Sequence, residues 1–175
     1  MSQGLITLVE QGASALMPHL MLAPIALPLL TGALMLLMRE EQRLLKLVVN
    51  VLSTALGLLV SLALLLWANQ PGATSSMGVY LAANWQAPFG IVLYVDRLAA
   101  LLVLISSIVL VAVLLFSVGQ GAADGAEETP ISIFNPSYLI LAAGIFNAFI
   151  AGDLFNLYVG FEILLVASYV LITLG

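Results

Sequence analysis

The chain offers little to work chemistry with. Four Lys or Arg, nine Asp or Glu, one His and no Cys are spread over 175 residues. Without Cys there are no disulfides, no thiolate nucleophile and no cysteine-ligated metal centre. One His among scattered acids forms no metal-ligand cluster, and no Gly-rich phosphate loop or Ser-His-Asp arrangement is present. Hydrolase and oxidoreductase chemistry is therefore disfavoured, and neither a cofactor nor a metal is assigned. What remains is a carboxyl in an apolar setting: Glu162, between Gly160-Phe161 and Ile163-Leu164.

Read as a helix opening after Asp153, this stretch carries Glu162 about 12 Å along the axis, at 1.5 Å per residue. In a membrane-spanning helix that is close to the bilayer midplane. Insertion scales place an acidic residue there at a cost of about 2.5–3.5 kcal/mol, and low dielectric favours the neutral carboxyl. Glu162 is then either protonated, with Asn147 as a hydrogen-bond acceptor, or paired with a cation. Arg39, Arg43 and Lys46 cluster near one membrane face and Arg97 near the other, so the chain's own cations are poorly placed to reach it. A midplane carboxyl of this kind is suited to proton or ion handling.

Other polar side chains are weighed beside it. Asp153 reads as the N-cap of the Glu162 helix, accepting from the N–H of Phe155 or Asn156; the alternative is uptake of a proton or cation at the outer face. Tyr158, Glu162 and Tyr169 stand at i, i+4 and i+11, on one helix face expected to point into protein rather than lipid. Asn147, Tyr158 and Tyr169 are candidates for an ion pathway, each with interhelical hydrogen bonding as the plainer role. Asp96 reads as a helix cap and Arg97 as a snorkelling or loop-bridging residue. Asn50, Ser53, Ser61, Ser106, Ser107, Asn156 and Ser168 also lie at membrane depth, and His19 lies just before the first span. Gly32, Gly57 and Gly144 are expected to permit close helix approach.

The elements that must hold these residues are membrane helices. With 63% hydrophobic and 7% charged residues, the chain lies far from the soluble average of about 25% charged. A span needs about 20 mainly apolar residues, and runs of that kind predict five helices over residues 20–38, 47–68, 98–118, 136–152 and 154–175. Asn135 and Pro136 read as N-cap and first position of the fourth helix. An outer loop at 69–95 carries two short apolar runs that suggest a hairpin or re-entrant flap, with Trp67, Tyr80, Trp85 and Tyr94 suited to the interfacial belt. An inner loop at 119–135 is acidic, with Asp124, Glu127 and Glu128.

Arg39, Arg43 and Lys46 fall between the first two spans, against Arg97 alone on the other side, which places the first loop in the cytoplasm and the N-terminus outside. The N-terminus has no basic region or small-residue cleavage site, so it does not read as a cleaved signal peptide. Net charge −5 with four basic residues argues against a nucleic-acid partner. The whole chain reads as one all-α, multi-pass membrane domain in contact with lipid, with no soluble domain.

The segment AGDLFNLYVGFEILLVASYVLITLG, residues 151–175, resembles the D subunit of the multisubunit Mrp-type sodium/proton antiporters, in its G-D-L-F-N-L and F-E-I-L-L-V-A-S-Y patterns. APFGIVLYVDRL, residues 87–98, and the Pro-containing first helix look like the same family, whose wider superfamily includes proton-pumping subunits of respiratory complex I and of membrane-bound hydrogenases. The resemblance implies that Glu162 is the family's helix-5 glutamate, which pairs with a lysine on helix 7 and is required for coupled transport. It implies an antiporter-like fold of two inverted five-helix repeats, of which this chain would be an N-terminal portion or part of a split subunit.

Three functions follow as expectations. In the first, the chain is part of a cation/proton antiporter in the inner (plasma) membrane, assembled with other subunits and coupling protons to Na+ or another monovalent cation through Glu162. In the second, it belongs to a redox-driven proton pump of a NADH-quinone oxidoreductase or membrane hydrogenase. In the third, it is a non-transporting structural module.

Overall fold

The computed structural model describes residues 19–39, 41–69, 78–85, 89–119 and 133–174. The acidic cluster Asp124, Glu127 and Glu128, the N-terminal stretch with Glu10, and Glu40 lie outside the described residues. Five helices and one hairpin make up the fold: α1 (Ala23–Leu36), α2 (Arg43–Ala68), β1 (Gly78–Leu81), β2 (Val92–Val95), α3 (Arg97–Gly119), α4 (Phe134–Ile150) and α5 (Leu154–Thr173). By length and composition α2, α3 and α5 can each cross a membrane, while α1 and α4 are shorter apolar helices of 14 and 17 residues.

Helix limits follow local chemistry rather than hydropathy. Pro24 stands in the first turn of α1, where a missing N–H costs nothing, and Pro28 sits inside the same helix. α2 starts at Arg43, four residues before the charge-free run begins. Arg and Lys are good helix formers, so the helix continues past the edge of the apolar segment and takes Arg43 and Lys46 out of the loop. Asn135 is not the N-cap of α4: Ile133 holds that position and Asn135 lies within the first turn with its side chain buried. That amide is engaged by Asn50 of α2, and the contact outweighs a local cap.

Helix α4 is the centre of the bundle, packed on α5 and α1 and touching α2 and α3. Glycines set two of its approaches. A Cβ on Gly144 would lie 2.8 Å from the backbone nitrogen of Leu164 on α5, and one on Gly32 of α1 would lie 3.2 Å from the carbonyl oxygen of Pro136. Gly57 behaves differently, because nothing lies within 4 Å of its would-be Cβ; it makes no close helix contact. Tyr138 of α4 donates its hydroxyl to the Leu110 carbonyl of α3. An apolar core runs along the bundle from Met21, Ala68, Val95 and Ile150 at the hairpin end to Leu110 and Leu114 toward the other.

The hairpin pairs β1 and β2 antiparallel, Gly78 opposite Val95 and Leu81 opposite Val92. Ala83 and Asn84 take positive φ in the turn that follows β1. Leu93 bridges to Ala151, and the Gly152 N–H donates to the Val92 carbonyl at 2.7 Å. The hairpin, the α4–α5 turn and the start of α1, where His19 meets Tyr80 edge to face, therefore share one end of the bundle. Lys46 and Asn135 mark the other.

Candidate functional site

Glu162 is the ninth residue of α5, on a helix with three buried residues, Asn156, Gly160 and Ala167. These three lie on the side turned to α4, where a Cβ on Gly160 would come 2.9 Å from the Asn147 amide nitrogen. Glu162 points away from that contact and is exposed. Tyr158 and Tyr169 are exposed with it, at 59% and 74%. The expected common face exists, but no described element covers it. Tyr158 stands one turn before Glu162 on this face. Among the described residues no cation reaches Glu162.

Asn147 does not meet Glu162. Its amide is buried between α4 and α5 and donates to both the backbone carbonyl and Oδ1 of Asn156, each at 3.1 Å. Gly160 explains the turn of the side chain: with no Cβ there, the Asn147 amide fits against α5 and finds its acceptors on Asn156. The Asn156 Nδ2, buried, has no partner among the described residues.

Asp153 is the N-cap of α5: its Oδ1 accepts the Asn156 N–H at 2.7 Å. Its other oxygen accepts the Val92 N–H of β2 at 2.9 Å, a tether that nothing in the local sequence announces, since Val92 is 61 residues away. Asp96 caps α3 through the Ala99 N–H at 2.7 Å. Arg97, exposed, donates from Nε to the Ala68 carbonyl at the end of α2 at 3.2 Å. Asp96, Arg97 and Asp153 all sit at the hairpin end, well removed from Glu162 along the helix axes.

A second polar group is harder to recognise as a unit in the sequence. Lys46, Asn50, Ser53, Thr54 and Ser61 all face inward on α2. Asn50 donates to Asn135 Oδ1 at 2.8 Å, Thr54 donates to the Asn50 carbonyl at 2.8 Å, and Ser61 meets Ser107 of α3 at 2.6 Å. Its signal is a period: 46, 50, 53, 54, 57 and 61 recur every three or four residues, the spacing of one helix face. Among the described residues no group of three His, Asp or Glu gathers to hold a metal.

An apolar helix bundle with a hairpin sealing one end, a polar seam inside and a carboxyl on an uncovered helix face is a multi-pass membrane protein. Its particular relatives are antiporter subunits. Over 159 residues the chain is 40% identical to the D subunit of the Na(+)/H(+) antiporter of Alkalihalophilus pseudofirmus, spanning 91% of this chain and 30% of that protein. It is 39% identical over 158 residues to the D subunit of a probable K(+)/H(+) antiporter of Rhizobium meliloti, 90% of this chain and 28% of the relative. Among solved structures it is similar to a chain of the Mrp complex from Dietzia, with a TM-score of 0.75 and 26% identity over 87% of this chain and 26% of that one. A chain of an archaeal membrane-bound sulfane sulfur reductase matches with a TM-score of 0.71 at 25% identity, covering 87% of this chain and 30% of the other. No protein-family model matches. The chain is thus similar to antiporter D subunits along nine-tenths of its own length, and it spans about 30% of the length of those relatives.

Proposed function

We propose that this chain is the part of a monovalent cation/proton antiporter subunit that presents the coupling carboxyl. The observation that carries the reading is Glu162 at mid-helix on the uncovered face of α5, which it shares with Tyr158 and Tyr169. A carboxyl at that depth has two accessible forms, neutral or ion-paired, and a cation brought alongside decides between them. The remaining two-thirds of a subunit of the relatives' length would supply that cation, a lysine, and cover the Tyr158–Glu162–Tyr169 face. Exchange of the carboxyl's proton for a cation pairing, in step with the opposite movement of Na+ or K+, is then the coupling event. The antiporter subunits named above support this reading by their similarity over nine-tenths of this chain.

The decisive experiment places Glu162→Gln in the complete, assembled complex and measures cation-induced ΔpH collapse in inverted membrane vesicles. Antiport is expected to vanish while the complex still assembles. Unchanged antiport would overturn the proposal.

The similarity to a chain of a respiratory membrane complex favours one second reading, a redox-driven proton pump. The same carboxyl would then respond to electron transfer in neighbouring subunits, and the purified complex would contain flavin or iron–sulfur centres. A complex free of such centres counts against it.

A further inference from the structure

Acids suit the start of a helix and cations its end, because the N–H groups of the first turn make the start positive by about half a unit charge. Helix α2 reverses the rule. It opens on Arg43 and Lys46 with no acid in its first turn, and its N-cap, Gln42, makes no side-chain capping bond. The Lys46 N–H donates to the Gln42 carbonyl at 3.0 Å, so the N–H groups of Arg43, Leu44 and Leu45 precede the helical ladder. Glu41, just outside the helix, is exposed and forms no ion pair among the described residues.

A second helix start faces the same place. Asn50 donates to Asn135, in the first turn of α4, at 2.8 Å, so α4 begins about 10 Å deeper than α2, at 1.5 Å per residue. Lys46 lies in the step between them, one turn before Asn50 on the same buried face. Helical side chains lean toward the N-terminus of their own helix, which carries the Lys46 ammonium out over the start of α4. That start is uncapped too: Ile133 makes no side-chain bond and the first turn holds no acid. Lys46 is 4% exposed and makes no hydrogen bond or ion pair among the described residues, although an ammonium has three donors to place. The end of α1, at the same end of the bundle, closes on itself, with the Leu34 and Met35 carbonyls accepting from Leu37 and Met38 at 3.1 Å. Two positive helix ends and a buried cation therefore share one step, with no described anion among them.

The geometry points to an oxyanion site in this step: a phosphate group whose oxygens accept from the Lys46 ammonium and from the N–H groups at the start of α4. Arg43, three residues before Lys46 and exposed, stands at its rim. The donors reach the step from two helices, an arrangement that suits the tetrahedral oxygens of phosphate better than the two coplanar oxygens of a carboxylate. Depth favours the same ligand. Leu44, Leu45 and Val48, on the other side of α2, are exposed, so the apolar surface begins level with Lys46, where the headgroup phosphates of a bilayer stand. A lipid headgroup and free phosphate bring the same chemistry to the site. The site lies at the basic end, apart from Glu162 at mid-helix on the outer face of α5, and it stands independently of the antiporter reading.

Thermal stabilisation of the complete complex tests the site, because a ligand bound only by the folded state raises the unfolding temperature with its occupancy. The complex is stripped of lipid in detergent and titrated separately with inorganic phosphate and with dioctanoyl phosphatidylglycerol. At least one of the two should raise the unfolding temperature saturably. Lys46→Met should weaken that ligand by about tenfold or more, as expected for the loss of a charge-assisted contact. Arg97→Gln, which removes the same charge at the hairpin end, should leave the affinity unchanged. A rise with phosphatidylglycerol alone assigns the site to a lipid headgroup, a rise with phosphate alone to the free anion, and a rise with both to the phosphate group whichever molecule carries it. A native complex that neither ligand moves, or a Lys46→Met complex that binds as tightly as the native one, would overturn the site. Should Lys46→Met fail to assemble, Arg43→Gln at the exposed rim replaces it, with a several-fold loss of affinity expected and unchanged binding counting against the site. The assay reads anion binding rather than transport, so a fully active Glu162→Gln complex would sink the antiporter reading and leave this one standing.

Discussion

The Asp153 carboxylate accepts the backbone N–H of Val92 at 2.9 Å across the gap between helix α5 and the hairpin. With its other oxygen on the Asn156 N–H, this one side chain both starts α5 and fastens β2 to it. The Glu162 helix is thereby indexed to the hairpin end of the bundle, and its axial position is not set by lipid contact alone.

Removing the carboxylate separates the two functions. Asp153→Ala should cost about 1 kcal/mol for the lost cap, and more for the Val92 N–H left without its acceptor. Amide hydrogen exchange should accelerate at both Val92 and Asn156. Asp153→Asn retains one carbonyl oxygen and should protect one of the two amides but not both. If exchange at Val92 were unchanged in the Ala variant, the tether would be of no consequence.

Tyr158 is expected to tune Glu162 rather than to carry the coupling. Its ring stands one turn from the carboxyl on the same exposed face, so Tyr158→Phe removes a neighbouring hydroxyl and leaves the carboxyl in place. In the assembled complex Tyr158→Phe should keep the maximal rate of antiport within a few-fold of the native rate. The antiport rate of the Phe variant against the native complex checks this; a loss as complete as that expected of Glu162→Gln would instead place Tyr158 on the obligatory proton route.

The Asn50–Asn135 pair should show strong coupling. Either Asn→Leu substitution takes this bond from a buried partner amide, which costs about 1–3 kcal/mol. The double substitution removes both polar groups and should cost less than the two singles added together. Thermal unfolding of the purified complex, followed for the four members of the cycle, measures the difference. Additive effects would mean that the 2.8 Å bond contributes nothing beyond packing.

Much of the fold is legible because hydropathy along a membrane chain is a coarse, strong signal. The apolar runs, the hairpin-like loop between the second and third of them, and the Asp96 and Asp153 caps all depend on neighbours in sequence. What is not legible depends on partners far away in sequence. Asn135 has the local pattern of a cap, but its amide goes to Asn50, 85 residues distant. Lys46 looks like a loop charge because an apolar-run boundary marks where hydrophobicity ends, not where the helix does. Hydropathy alone sets Asn147 beside Glu162, and the absence of a Cβ at Gly160 draws it to Asn156 instead. For Glu162 the sequence indicates a place at mid-helix in an apolar run, and the structure sets it there as the ninth residue of α5. It also shows that Tyr158 and Tyr169 share its face, and that face is open here because the described helices leave it uncovered.

The glycines give a prediction of opposite signs from one substitution. At Gly144 an added methyl would meet the Leu164 backbone nitrogen at 2.8 Å and its Cα at 3.0 Å. Backbone cannot rotate away, so Gly144→Ala must push α5 off α4, and overpacking of this kind costs about 1–3 kcal/mol. It also shifts Asn156 relative to Asn147, whose two 3.1 Å bonds tolerate little displacement. At Gly57 an added methyl meets nothing within 4 Å and projects beside the cavity it borders. Replacing a helical Gly by Ala lowers the cost of ordering the chain by up to about 1 kcal/mol, so Gly57→Ala should raise the unfolding temperature while Gly144→Ala lowers it. Both variants measured by thermal unfolding in the same complex decide the matter, and a destabilised Gly57→Ala would mean that the space beside Gly57 is already filled.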